Sequence, residues 1–293
     1  MIVSFGSLNA DFIFEMERPP QPGETLSARG LRMEPGGKGA NQAVAAARAG
    51  AAVAMVGAVG RDGLAEIALG HMAPAGVDVT RVASVDAATG CASIVVDDAG
   101  RNQIVVAAGA NGFARADQLA DEDLRPGDRI LLQMGVPGAE VAAMVARARR
   151  CGAFSILNLA PATEIDPAAL AACGLLVVNE SEAATVAGRL GCSADSASLA
   201  RALGTGVLRS LGGDGAEATT AEGSCRVPAL PIIPVDTTAA GDCLIGVLAA
   251  GLAEGRGFEA ALRRATVAAA LCCGRRGSQS SLPWREEIDR AGG

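Results

Sequence analysis

The second half of the chain has a rhythm that few architectures can satisfy. Short apolar runs at 129–133, 154–157, 175–178 and 206–210 read as buried strands. Helical patterns follow the first three, at 138–150, about 167–172 and 180–190, and two more helices are expected at about 241–254 and 258–273. The first half begins the same way. Ile2-Val3-Ser4-Phe5-Gly6 reads as a strand, 38–50 as an Ala-rich helix ending at Gly50, Ala52 to Gly57 as a strand, and the stretch from Gly63 to about Ala75, which contains His71, as a helix. Strands that alternate with helices run mostly parallel, because each crossover returns the chain to the same end of the sheet. Helices then cover both faces.

Two regions break the rhythm. Residues 10–34 hold strand-like pieces and turn signals (Pro19-Pro20, Pro22-Gly23) but no helix. Residues 88–107 read as a hairpin turning at Asp97-Asp98-Ala99-Gly100. Such pieces pair into a small sheet beside the main one, and a sheet flanking a crevice can serve as a lid. No internal repeat or long linker divides the chain. The expectation is one α/β domain over 1–293, with lid strands at about 10–34 and 88–107.

Composition removes several functions. A net charge of −7, with no Tyr and one Trp, leaves neither the basic footprint nor the stacking surface of a nucleic-acid-binding protein. One histidine excludes the H-E-x-x-H zinc site. The longest uncharged apolar run, Ala49 to Gly60, is too short to span a bilayer, and the N-terminus lacks a basic signal-peptide region. Eight cysteines, none in a C-x-x-C pair, fit the reduced thiols of a cytosolic protein.

In an open parallel sheet, ligands bind beyond the carboxyl ends of the strands. After the first strand comes Gly6-Ser7-Leu8-Asn9-Ala10-Asp11. Asn9 and Asp11, two apart, face one way in an extended segment; they suit hydroxyl binding or, equally, a polar turn. Pro35-Gly36-Gly37-Lys38-Gly39-Ala40-Asn41-Gln42 is a glycine-rich helix start or a close-contact ligand site, with Lys38 and Asn41 adding a charge and an amide. It is not a P-loop, because Gly39 stands where Ser or Thr is needed. In Asn179-Glu180-Ser181-Glu182 the carboxylates complement a helix dipole or hold a hydrated Mg²⁺. Leu211-Gly212-Gly213-Asp214-Gly215 is a turn that a nucleotide could use. In Asp236-Thr237-Thr238-Ala239-Ala240-Gly241-Asp242, the tiny residues leave the N–H groups of a helix start bare as an anion hole. A carboxylate beside a bound anion is repulsive unless it has work. Accepting a proton from a hydroxyl that attacks a phosphoryl group is work that fits Asp242.

Together these segments resemble the PfkB family of sugar kinases and, within it, the ribokinase branch. The match runs from Gly6-Ser7-Leu8-Asn9-Ala10-Asp11 to Pro283-Trp284-Arg285-Glu286-Glu287-Ile288-Asp289, and GGKGANQAVAAARAGA and VDTTAAGD are its most specific pieces. The resemblance implies a ribokinase-like three-layer α/β sandwich with a mostly parallel central sheet and a β-clasp lid that is also a homodimer interface. It implies ATP-dependent phosphorylation of a primary hydroxyl, ribose to ribose 5-phosphate in this branch. Asn9, Asp11, Gly37, Lys38, Asn41 and Asp242 would hold the sugar. Asp242 would be the base, with the backbone of Ala239, Ala240 and Gly241 as the anion hole. ATP would lie on Asn179, Ser210, Leu211, Gly212, Gly213, Asp214, Gly215, Gly241 and Thr266, and Glu182 would act on hydrated Mg²⁺. A monovalent cation, K⁺, would sit at Asp236, Thr238, Cys272, Arg275, Gly277 and Ser281, mostly on carbonyl oxygens.

The chain departs from that pattern at two positions. Where the branch carries a sugar-contacting Glu in L-x-x-Q-L-E-x-P, this sequence reads Leu132-Gln133-Met134-Gly135-Val136-Pro137. Losing that carboxylate removes a charge-assisted hydrogen bond of about 1.5–3 kcal/mol, which opens the site to other sugars, deoxysugars or a nucleoside. Thr266 stands where the branch has a His near the adenine. A non-catalytic sugar sensor on the same fold is the remaining alternative, and the intact Lys38 and Asp242 argue against it.

Overall fold

Strands covered on both faces have no solvent side, so their side chains are apolar throughout rather than alternating. The computed structural model describes residues 1–98, 101–163 and 165–292. Along the chain these form β1 (Ile2–Phe5), β2 (Asn9–Glu15), β3 (Gly30–Gly36), α1 (Lys38–Arg48), β4 (Val53–Gly60), α2 (Gly63–Leu69), β5 (Asp78–Val85), β6 (Gly90–Val96), β7 (Asn102–Ala107) and β8 (Arg129–Gln133). There follow α3 (Gly138–Arg150), β9 (Phe154–Asn158), α4 (Pro167–Ala172), β10 (Leu175–Val178), α5 (Glu180–Leu190), α6 (Ser196–Leu203), β11 (Gly206–Ser210), β12 (Ala216–Thr220), β13 (Gly223–Val227), α7 (Ala240–Ala253), α8 (Phe258–Cys273) and α9 (Arg285–Gly292).

The large sheet has the order β13-β12-β11-β10-β9-β8-β1-β4-β5. From β11 to β5 every pair is parallel; β12 and β13 add an antiparallel hairpin at one edge. The fully buried β1, β4 and β10 are the apolar runs that sequence singled out. β1 pairs with β4 on one side and β8 on the other, so the chain winds outward in opposite directions from there. That is a topological switch point, and a crevice opens beyond the carboxyl ends of β1 and β8. One face of the sheet packs on α1, α7 and α8 through residues such as Val44, Val247, Leu248 and Leu262. The other packs on α3, α5 and α6 through Met144, Val145, Val186 and Leu199.

Alanine and glycine let α1 and α7 approach closely. A Cβ on Gly246 would lie 2.6 Å from the Gln42 carbonyl oxygen and 2.7 Å from the Ala45 Cβ. This contact brings the N-terminal turns of the two helices together.

The second sheet, β3-β2-β6-β7, grows from β2 just past the switch point. Leu31, Met33, Ile104, Val105 and Val106 on it are exposed. The small sheet expected from these two regions is present; of the expected hairpin turn, Ala99 and Gly100 lie outside the described residues.

Sequence missed five elements, among them the polar C-terminal helix α9, and overextended one. β5, β12 and β13 are edge strands in which polar residues break the apolar run, and α6 is short and capped by Asp195. The helix expected to reach Ala75 stops at Leu69, and His71 lies in the turn that follows. Among the described residues no helix is long and apolar enough to cross a membrane.

Candidate active site

Two glycines make the crevice possible. Gly37 caps α1 at φ 89°, and a Cβ there would lie 2.6 Å from the Ser7 carbonyl oxygen. A Cβ on Gly39 would lie 2.6 Å from the Gly6 carbonyl carbon. The start of α1 is thus pressed against the end of β1, and only glycine fits at the seam. Lys38 and Asn41 leave this seam on the first turn of α1.

Asn9 and Asp11 open β2 and are both buried. Asn9 Oδ1 accepts a hydrogen bond from Asn111 Nδ2 (2.8 Å). Asn111, which sequence reasoning missed, also bonds both backbone groups of Leu8 and so fixes the segment after β1. Asp11 Oδ1 is buried with no partner. Its carboxylate occupies the space above Gly36, where a Cβ would lie 1.9 Å from Oδ2. Burial first, then the charges of Glu34 and Asp242, push the Asp11 carboxyl up to about 7. A buried acid with a free oxygen is an unfilled hydrogen-bonding site for a ligand hydroxyl.

Asp242 stands in the first turn of α7 and is almost fully buried. Its Oδ2 accepts from Asn41 Nδ2 and its Oδ1 from Gln42 Nε2, both at 3.0 Å. Ala239, just before the helix, holds a left-handed conformation at φ 59°, rare for a residue with a side chain. Lys38, Asn179, Glu182, Ala239, Ala240, Gly241 and Asp242 line one cavity of about 200 Å³. A second, apolar cavity of about 340 Å³ lies against Gly212, Gly213, Gly215 and Thr266. Ser210, Thr237, Ala240, Gly241 and Leu244 line both, so the first turns of α7 form much of their common wall. Leu211 N–H donates to the Gly215 carbonyl (2.8 Å), closing the turn that includes Asp214, and Gly215 adopts φ 96°. Thr266 spends its hydroxyl on the Arg263 carbonyl (2.8 Å).

Asn179 and Glu182 form a reciprocal cap on α5, each accepting the other's backbone N–H at 2.8 Å. The helix-cap explanation of these residues therefore holds, while Glu182 also faces the first cavity. Burial raises its carboxyl above the usual range, against the pull of the Asn179 N–H and Lys38.

Asp236 accepts from Thr238 N–H (2.9 Å) and Gly277 N–H (3.0 Å). Burial opposes its charge, yet these bonds hold its carboxyl below the usual range. Cys272 Sγ lies 3.6 Å from the Thr238 carbonyl and 3.0 Å from Ser281 Oγ, so Asp236, Thr238, Cys272, Gly277 and Ser281 meet in one place. The Arg275 guanidinium points elsewhere, to Glu287 (2.5 Å).

A model of the pfkB family of carbohydrate kinases matches residues 1–285. The chain is 34% identical to the ribokinase of Haemophilus influenzae over 293 residues, 96% of this chain and 95% of that one. Among solved structures, a ribokinase from Thermotoga maritima superposes with a TM-score of 0.89 at 30% identity, covering 99% of this chain and 97% of the other. An Arabidopsis thaliana ribokinase complexed with ribose and ATP superposes with a TM-score of 0.88 at 29% identity, covering 99% and 98%. A match over nearly the whole chain, joined to a buried carboxylate beside a bare helix start between two cavities, places the chain in the pfkB family of carbohydrate kinases.

Proposed function

We propose that the protein is a ribokinase, transferring the γ-phosphoryl group of ATP to the primary hydroxyl of ribose. The observation that carries this reading is Asp242, buried beside the wall that two cavities share. The larger, apolar cavity suits a nucleobase, and the shared wall of N–H groups suits the phosphates. Asn9, Asp11, Gly37, Lys38 and Asn41 would hold the sugar, with Asp11 Oδ1 accepting one of its hydroxyls. Asp242 orients the attacking hydroxyl and takes its proton as the bond to phosphorus forms. The N–H groups at Ala239–Asp242 receive the charge of the transferring group. The relatives and neighbours that are ribokinases support this reading over a nucleoside kinase or a sensor.

The donor sets fit the implied ions. Glu182 is a lone carboxylate with one oxygen spent on its cap, which suits water-mediated Mg²⁺. Among the described residues no group of three His, Cys, Asp or Glu side chains could hold a metal directly. The ionised Asp236 with the carbonyl oxygens of Thr238, Cys272, Arg275 and Gly277 and the Ser281 hydroxyl is a hard, singly charged set that suits K⁺. When bound, Mg²⁺ would neutralise the β- and γ-phosphate oxygens.

Gly135 marks the point where sugar choice is open. A Cβ there would lie 2.6 Å from Ser7 Oγ, so no side chain fits at 135 while Ser7 stands where it does. The test is ADP release with ribose, 2-deoxyribose, hexoses and nucleosides, each with and without K⁺. Ribose is expected to give the highest kcat/KM. A better acceptor from another class would displace ribose, and no release with any acceptor would favour the sensor.

The exposed apolar strip of the small sheet, Val105 at 73% among it, is the proposed homodimer surface. Val105→Asp is expected to convert a dimer to a monomer in light scattering. A wild-type protein that is monomeric at tens of micromolar would dismiss this interface. The eight free thiols suit the cytoplasm as its place of work.

A further inference from the structure

Asp242 is the middle of a buried row of amides. Gln279 Nε2 donates to Asn41 Oδ1 (3.2 Å), and Asn41 donates to Asp242 (3.0 Å). From the other side Gln133 Nε2 donates to Gln42 Oε1 (2.6 Å), and Gln42 donates to Asp242 (3.0 Å). An ionised carboxylate only accepts. Both neighbours must therefore turn their NH₂ groups toward it. The Gln42 carbonyl then faces Gln133, which has to donate in turn. Gln133 thus latches Gln42 in the one orientation that serves the acid.

The row is costly as mere filling. Gln42 and Gln133 are 0% exposed, and Gln133 Oε1 has no hydrogen-bond partner. That oxygen lies 1.8 Å from where a Cβ on Gly6 would be, so it is packed against glycine at the end of β1. An apolar side chain at 133 would fill the space without stranding a buried acceptor. Gln133 is also the last residue of β8, at the switch point itself.

We propose that Gln133 and Gln42 are positioning residues for the base. Gln42 takes one lone pair of Oδ1 and fixes the plane of the Asp242 carboxylate. Asn41 takes one lone pair of Oδ2 in the same way, so each oxygen keeps a lone pair and the carboxylate is held in one plane for the acceptor hydroxyl. The hydroxyl gives its proton to the Asp242 carboxylate as its oxygen bonds to the γ-phosphorus. The bond from that phosphorus to the bridging oxygen breaks, and ADP leaves with the electron pair. This assignment rests on Asp242 being the base, as proposed above.

The test compares Gln133→Met, Gln133→Glu and Asp242→Asn with the wild type in one ADP-release assay. Gln133→Met keeps the volume and frees Gln42 to turn. It is expected to lower kcat about 10-fold, with KM for sugar and ATP within about twofold and no loss of Tm. In Gln133→Glu, assayed at alkaline pH so that the introduced carboxyl is ionised, that group can only accept. Gln42 must then flip its NH₂ toward it and present its carbonyl to Asp242, and kcat is expected to fall about 100-fold. Should that variant fail to fold, Gln133→Met decides alone. A folded Gln133→Met with unchanged kcat, beside an inactive Asp242→Asn, overturns the relay and spares the base. Lower Tm and raised KM at full kcat reduce Gln133 to a packing residue and overturn it too. Full turnover by Asp242→Asn removes the base and the relay together.

Discussion

Asp242→Asn is expected to fold, to bind both sugar and nucleotide, and to turn over about 10³-fold more slowly than the wild type. Asn fills the volume of Asp and retains one oxygen to accept from Asn41 or Gln42. Its NH₂ group must face the other donor, so one buried hydrogen bond of the row is lost. That loss is a matter of about 1–3 kcal/mol and does not threaten the core around α7. What disappears is the group that can take a proton. On the proposed reading the start of α7 still holds the phosphoryl group, because its N–H groups belong to the backbone. Calorimetric titration with ribose should therefore stay near wild type while ADP release collapses. Near-normal turnover would show that the base is elsewhere.

Asp11→Asn is expected to separate stability from affinity. The Asp11 carboxyl is pushed up to about 7 in the folded protein, mainly by burial. In the unfolded chain such a group titrates at about 3.9. Between those values the folded state binds a proton that the unfolded state does not. Stability therefore falls as pH rises from about 4 to 7 and stays low above it. Removing the charge lifts this penalty. The variant should melt several degrees above the wild type at pH 8, and the two curves should converge near pH 4. If Asp11 holds the sugar as proposed, the same variant loses a charge-assisted bond worth about 1.5–3 kcal/mol, so KM for ribose should rise about 10- to 100-fold. Thermal melts at several pH values and one sugar titration check both halves. An unchanged KM would place Asp11 outside the sugar site.

What could be read from sequence was local. β1, β4, β8 and β10 announce themselves because burial on both faces demands unbroken apolar runs. α3, α4 and α5 follow from their spacing. β5 and the β12–β13 hairpin did not show, since an edge strand keeps a wet side and its polar residues interrupt the pattern. In the site, Asn9, Asp11, Lys38 and Asp242 stood out as charges or amides beside glycine and alanine. Gln42, Gln133 and Gln279 did not. A glutamine in sequence is most often a surface residue, and only the packing of distant segments makes these three buried. Asn111 escaped for the same reason.

The row at Asp242 joins residues that are far apart in the order of synthesis. The Gln279–Asn41 bond spans 238 residues and the Gln42–Asp242 bond 200. β1 precedes every other strand of the large sheet in sequence, yet it lies inside that sheet, beside a strand that starts at Arg129. A nascent chain can pair β1 with β4 early, but on the proposed reading it has no base until α7 has docked, and it has no closed row until Gln279 arrives. If Asp242 is the base as proposed, activity waits on residues that follow most of the fold in sequence, and a chain interrupted before α7 forgoes it.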